Sequence, residues 1–223
     1  MDWRPEVVHT VLLAESHVYT SDSELLPMQG PHSLSHRALN TTFARFVYCL
    51  GYGESQFVGP SGPNTAGTPQ FWKLFASCVQ APSAKTFAPF LKSGNPEFLS
   101  RMRAKVALLE RLRAKGIWLV DASAIALYSP GGNRLHHQDY ESVLRLCWNT
   151  YTGQLVRNAA PHSVIVIGKG VARALERELA GLTAAEIHCV NQPQGCRVKG
   201  QIEQVYATLH TVCQHAAHAR GAP

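Results

Sequence analysis

Apolar positions along this chain fall into two alternating kinds of run. Short blocks, "VVHTVLLA" (7–14), "IWLVD" (117–121), "SVIVI" (163–167) and "AEIHCV" (185–190), are dense in bulky or β-branched residues. Such blocks predict buried strands. Longer blocks with helical apolar spacing lie between and after them. "SHRALNTTFARFVYCLG" (35–51) predicts a helix closed by Gly51, and "PQFWKLFASCV" (69–79) a short one. "NPEFLSRMRAKVALLERLRAKG" (95–116) predicts the clearest helix, with Asn95 as N-cap, Pro96 at its first position and Gly116 at its end. Further helices are predicted from near Asp139, over "VARALERELAG" (171–181) and from Gln201. The intervening 51–69, 129–138 and 191–200 are rich in turn formers and read as loops.

Strands alternating with helices predict a parallel sheet with helices on both faces. The expectation is an α/β, three-layer fold with a central four-stranded parallel sheet, in one domain over residues 1–223. Ligands of such sheets bind outside the carboxyl ends of the strands. Glu15, Asp121, Gly168 and Asn191 follow or end the four strands and are expected there.

Composition narrows the classes. Apolar residues make up 45% and charged ones 16%, as in a globular protein. No apolar run approaches the ~20 residues of a membrane span. The start, "MDWRPEVVHT", lacks the basic-then-apolar order of a secretory signal. A cytoplasmic protein with no membrane partner is expected. Net charge is +6, which favours a polyanionic partner without requiring one. Residues 101–115 hold six basic residues and one acid; either a solvated helix face or a phosphate-facing patch fits. The six cysteines form no C-x-x-C pair and mostly sit in apolar segments, so free buried thiols are expected and no metal. His136 and His137 lack spaced ligand partners and read as surface residues. The zinc deaminase signature, G-x-G-x-x-G, the P-loop and G-x-S-x-G are all absent from the sequence.

Asp121 is the residue that needs an explanation. An apolar strand climbs into a carboxylate, which serves either as a turn cap or as a group held at a site. Four segments together resemble the uracil-DNA glycosylase superfamily, whose members flip a base out of DNA and cut its N-glycosidic bond. "VLLAES" resembles the first strand with its GQDP or GEAP tip. "GIWLVDASAIAL" resembles the strand that ends in the base-reading asparagine, as in "VLLLNAVLTV". "SVIVIGKGVARAL" resembles "VFLLWGKPAQ", and "VNQPQGCR" falls where the family has its HPS loop.

The resemblance implies a monofunctional glycosylase that needs no cofactor, acts on DNA and leaves an abasic site. Glu15, at the acidic place of GEAP, is the first choice for the catalytic carboxylate, and Asp22 the second. Ser16 and His17 follow at the same tip, with His17 where the family has proline. Asp121 stands in place of the reading asparagine. A carboxylate only accepts, so it opposes uracil's O4 and suits the N4 amino group of cytosine. Excising ordinary cytosine would destroy the host genome. A bulky modified cytosine, such as a sugar-bearing base of bacteriophage DNA, resolves the conflict and implies an antiphage defence enzyme. The loops 17–36 and 52–69 are expected to widen the pocket. Asn191 or Gln192 takes the place of the HPS histidine, and neither side chain supplies a proton. Cys196 or Arg197 takes the place of the helix-wedging side chain, with Lys199 and Lys169 as further DNA contacts. Phe71 or Trp72 stands on the segment where the family places its stacking phenylalanine, with Tyr19 and Tyr128 as further candidates, although aromatic residues at this helical spacing more often pack in the core. The alternatives are a uracil- or deaminated-purine-DNA glycosylase and a non-catalytic DNA-binding protein of the same fold. No protein partner is implied.

Overall fold

The structure, a computed structural model, describes residues 3–28, 42–58, 67–128, 133 and 136–218. Four strands, β1 (Thr10–Ala14), β2 (Ile117–Asp121), β3 (Ser163–Ile167) and β4 (Glu186–Val190), form one all-parallel sheet in the order β2-β1-β3-β4. Helices cover both faces. The fold is the three-layer α/β arrangement that the alternation of runs predicts.

The pleat divides the core in two. On one face Leu12, Ala14, Ile117, Leu119, Ile165 and Ile167 pack with α1 (Pro69–Val79), α3 (Phe98–Ala114) and α8 (Gln201–His218). On the other, Val11, Leu13, Trp118, Val120, Val164 and Val166 pack under α4 (His137–Cys147), α5 (Gly153–Ala159), α6 (Lys169–Ala174) and α7 (Glu176–Ala180). This is why β1, β2 and β3 are apolar at nearly every position rather than at alternate ones. The edge strand β4 leaves Ile187 and Cys189 exposed. A short helix, α2 (Ala84–Phe87), completes the set.

Several elements differ from expectation. The first strand begins at Thr10, three residues later than Val7. The part of 35–51 that is described, 42–51, contains turns and no helix; 35–41 lies outside the described residues. Phe43, Val47, Cys49 and Leu50 are buried from those turns, so their apolar spacing reports packing rather than a helix. In α3 the N-cap is Glu97, not Asn95. Its carboxylate accepts from the amides of Leu99 (2.9 Å) and Ser100, while Asn95 ties to Pro89 O and Ser100 Oγ. Gly116 does end that helix, at φ +68°, where a Cβ would meet the His9 ring. The helix expected over 171–181 breaks at Leu175 into α6 and α7. Between α4 and α5 the chain widens into a π turn, Trp148–Thr152.

The basic helix divides its charge: Arg103 and Arg111 are exposed and Arg113 and Lys115 partly so, as a solvated face requires. Arg101 and Lys105 turn inward and are buried against Glu54.

Candidate functional site

The chain leaves β1 toward β2 and leaves β3 toward β4, on the opposite side, so the direction reverses between the neighbouring β1 and β3 and opens a crevice at their carboxyl ends. Crevices of this kind are the usual ligand sites of open parallel sheets. A cavity of about 580 Å³ occupies it. That is within the roughly 300–1,000 Å³ typical of small-ligand pockets.

Two carboxylates enter it from neighbouring strands. Ala14 pairs with Asp121, and the ladder continues past it, with Ser123 N donating to Glu15 O at 3.0 Å. Glu15 is 7% exposed, and its carboxylate accepts from the Tyr128 hydroxyl at 3.0 Å. The Asp121 side chain is 15% exposed, with His17 Nδ1 3.6 Å from its Oδ2. From the π turn, the Thr152 hydroxyl donates to the Asp121 carbonyl at 3.4 Å. The strand tip is thus fixed from the sheet and from the helix layer.

An aromatic floor lies beneath Asp121. The Tyr48 hydroxyl accepts from Leu119 N at 3.0 Å, and its ring stacks on Phe75 at 5.9 Å. Burial, with the Asp121 charge adding to it, pushes the Tyr48 phenol well above its ordinary range. Tyr48 therefore stays protonated while serving as an acceptor. Phe46 packs edge-on to Tyr48 at 5.3 Å and lines the cavity, as does Phe71 from α1.

The remaining sequence-predicted residues divide. Tyr19 lines the rim and is partly exposed. The Ser16 hydroxyl accepts from Leu127 N (3.3 Å) and donates to His17 O (3.1 Å), which ties the loop after β2 to the tip of β1. Gln192 lines the main cavity, whereas Asn191 lines a side cavity of about 240 Å³ next to Gly168 and Lys169. Asp22 is exposed on a single turn and lines neither. Glu24, two residues on, lines the main cavity instead and is ion-paired with Arg45, which holds its carboxyl below the usual range. Trp72 does not face the base-sized cavity. It is buried on the opposite side of α1, where Lys105 Nζ sits 4.9 Å from its ring. Cys196 is half-buried against the core, with its thiol 3.7 Å from Gln192 O. Arg197 and Lys199 are exposed on the loop before α8 and line neither cavity. Gln201 caps that loop by accepting from the amides of Arg197 and Val198. Helix α6 behind Gly168 is only six residues long, so Lys169 offers a side-chain charge rather than a strong helix terminus. Of the loops expected to widen the pocket, 29–36 and 59–66 lie outside the described residues; His17, Val18, Tyr19, Ser21, Glu24 and Thr68 line it. His136 is exposed, and the side chain of His137 lies outside the described residues.

A second cavity, of about 380 Å³, meets the first at His17, Phe46, Leu119 and Asp121. Its walls are Trp3, Trp118, Tyr151 and Leu155, with the Arg4 guanidinium 4.8 Å over the Trp118 ring. Nothing in the sequence singled out Trp3, Arg4 or Tyr151, because residues near positions 3 and 151 meet only after folding.

Among the described residues no group of three or more His, Cys, Asp or Glu side chains is placed to hold a metal ion. All six cysteines are free thiols. No described helix is long and apolar enough to cross a membrane. Fold and site together define a three-layer α/β protein with an acidic, aromatic-walled pocket at the carboxyl edge of its sheet. Comparison with protein-family models, with curated proteins and with solved structures gave no match.

Proposed function

We propose that this protein is a monofunctional DNA glycosylase that flips a modified cytosine into the main cavity and cuts its bond to the sugar. The observation that carries the reading is the convergence of Glu15 and Asp121, from adjacent strand ends, on one aromatic-walled space of about 580 Å³. It agrees with the resemblance of the four strand segments to the uracil-DNA glycosylase superfamily.

Asp121 offers an acceptor. His17, 3.6 Å away, offers an N–H donor beside it when protonated. An acceptor next to a donor complements the amino group and N3 of cytosine and opposes the O4 and N3–H of uracil. A proton passing from His17 to N3 lets the base leave as a neutral molecule. The C1′–N1 electron pair goes to the base, and the sugar becomes an oxocarbenium ion. Glu15 faces that cation, and its negative charge stabilises it. Water adds to C1′ and gives its proton to Glu15, which leaves an abasic site. His17 thus takes the task that neither Asn191 nor Gln192 can perform. Phe71 and Phe46 supply faces for the extruded base. A substituent directed past Asp121 enters the second cavity, which supports a bulky base of the kind found in bacteriophage DNA and hence a role in defence.

The test is incubation with duplexes bearing one bulky modified cytosine, one plain cytosine or one uracil, followed by alkali. Strand breaks at the modified cytosine are expected, and Glu15→Gln should abolish them. Breaks at uracil alone would transfer the reading to a uracil-type glycosylase. Salt-sensitive binding without breaks on any duplex would leave a DNA-binding protein.

A further inference from the structure

The most deeply buried charges lie on the far side of α1 from the base cavity. Glu54, Arg101 and Lys105 are 2%, 2% and 4% exposed. Arg101 holds the carboxylate with Nε at 2.9 Å and Nη2 at 2.7 Å, and Lys105 Nζ donates to Oε1 at 2.8 Å. One carboxylate therefore faces two cations, and one positive charge is left in surplus away from water. An ammonium has three N–H donors. Among the described residues Glu54 is the only acceptor bonded to Lys105 Nζ, whose other flank rests on the Trp72 ring. Burial holds the Lys105 ammonium below its ordinary range in spite of Glu54.

This ammonium lines a cavity of about 330 Å³. Lys73 and Lys92 line it too, with Thr68 and Ser93 at its walls. Glu54 is the only acid among its described lining residues, and both of its oxygens are already engaged. Thr68 is also the N-cap of α1, an 11-residue helix whose positive end opens there. A buried surplus cation with unused donors, two further lysines and a helix amino end all favour one kind of ligand, a compact oxyanion.

We propose that this cavity binds a phosphate group. Because Thr68 lines both this cavity and the base cavity, the group is assigned to the DNA backbone beside the flipped nucleotide. That source rests on the DNA reading above; the anion site itself does not.

Thermal unfolding in sodium phosphate against sodium chloride at equal ionic strength tests the site, with a phosphate titration to give the dissociation constant. Phosphate stabilises proteins generally, so the comparison between variants carries the result. The wild-type Tm should rise with phosphate more than that of Lys105→Met or of Lys73→Ala/Lys92→Ala. Loss of a charge-assisted contact should weaken phosphate roughly tenfold or more. The double variant changes only partly or fully exposed residues and keeps the test readable if Lys105→Met does not fold. Equal gains in all three proteins would overturn the site. The source is read separately, from the salt dependence of binding to a short duplex. A slope shallower by about 1 in the double variant supports a backbone phosphate. A phosphate response with an unchanged DNA slope would overturn the backbone assignment and leave a site for free phosphate. Abasic-site formation by the wild type reports on the glycosylase reading alone, so the two failures are distinct.

Discussion

Replacing Glu54 by glutamine keeps the side chain's size and removes its charge, leaving Arg101 and Lys105 buried beside a neutral amide. Three hydrogen bonds of 2.7–2.9 Å converge on this carboxylate in the wild type. Breaking a buried ion pair by removing one partner costs about 3–5 kcal/mol, because the surviving charges stay desolvated. The total stability of a domain is only about 5–15 kcal/mol, so the loss is a large share of it. With a urea slope of about 2 kcal/mol per molar, the unfolding midpoint should fall by about 1.5–2.5 M. Glu141→Gln is the control, since that residue pairs with Arg145 and Arg173, which are largely exposed, and should cost under ~1 kcal/mol. Replacing the triad together, as Glu54→Leu/Arg101→Met/Lys105→Met, should cost far less than Glu54→Gln alone, since no buried charge remains. Glu54 and Lys105 are both shifted downward, which favours the charged form of the acid and opposes that of the base. Burial alone would raise the Glu54 carboxyl, but Arg101 and Lys105 outweigh it and hold the group below its ordinary value; Lys105 shifts against its charged form. The strength therefore lies in the Arg101–Glu54 couple. A loss below ~1 kcal/mol for Glu54→Gln, or one equal to the Glu141→Gln control, would refute this account.

Three further outcomes are expected. Because the Glu54 carboxyl is held below its ordinary 4.5, its contribution to stability is complete above that pH and is lost as pH falls through the lower folded value. Urea midpoints measured from pH 6 to pH 3 should therefore fall more steeply for wild type than for Glu54→Gln. Asp121→Asn should shift excision from cytosine-type bases toward uracil, because an amide both donates and accepts. One mismatched buried contact costs about 1–3 kcal/mol, or roughly 5- to 150-fold in the rate ratio under single turnover, and an unchanged ratio would remove Asp121 as the reader. Tyr128→Phe deletes the hydroxyl 3.0 Å from Glu15 and should slow excision less than Glu15→Gln; equal losses would make the hydroxyl as essential as the carboxylate.

The strand segments were legible because burial on both faces writes a continuous apolar run, and such runs end where the pocket begins. Glu15 and Asp121 could be named in advance for that reason. Asp22 could not be told from Glu24, since both lie on one turn and only the pairing with Arg45 draws Glu24 to the wall. Phe71 and Trp72 are neighbours on one helix with equal claims, and the direction in which α1 packs sends Phe71 to the pocket and Trp72 to the lysines. The turns of 42–51 mimic a helix because buried side chains need only the right spacing, not a helical backbone.

What the chain determines locally is the alternation of strands and helices, the cap at Gly116 and the carboxylates at two strand ends, because each depends on neighbours within a few residues. What the tertiary structure alone decides is the company those groups keep. His17 meets Asp121, Tyr128 meets Glu15, and Glu54 meets Arg101 and Lys105 about fifty positions away. Those distances follow from sheet order and helix packing, which bring remote segments together to bury apolar surface and carry their polar groups with them.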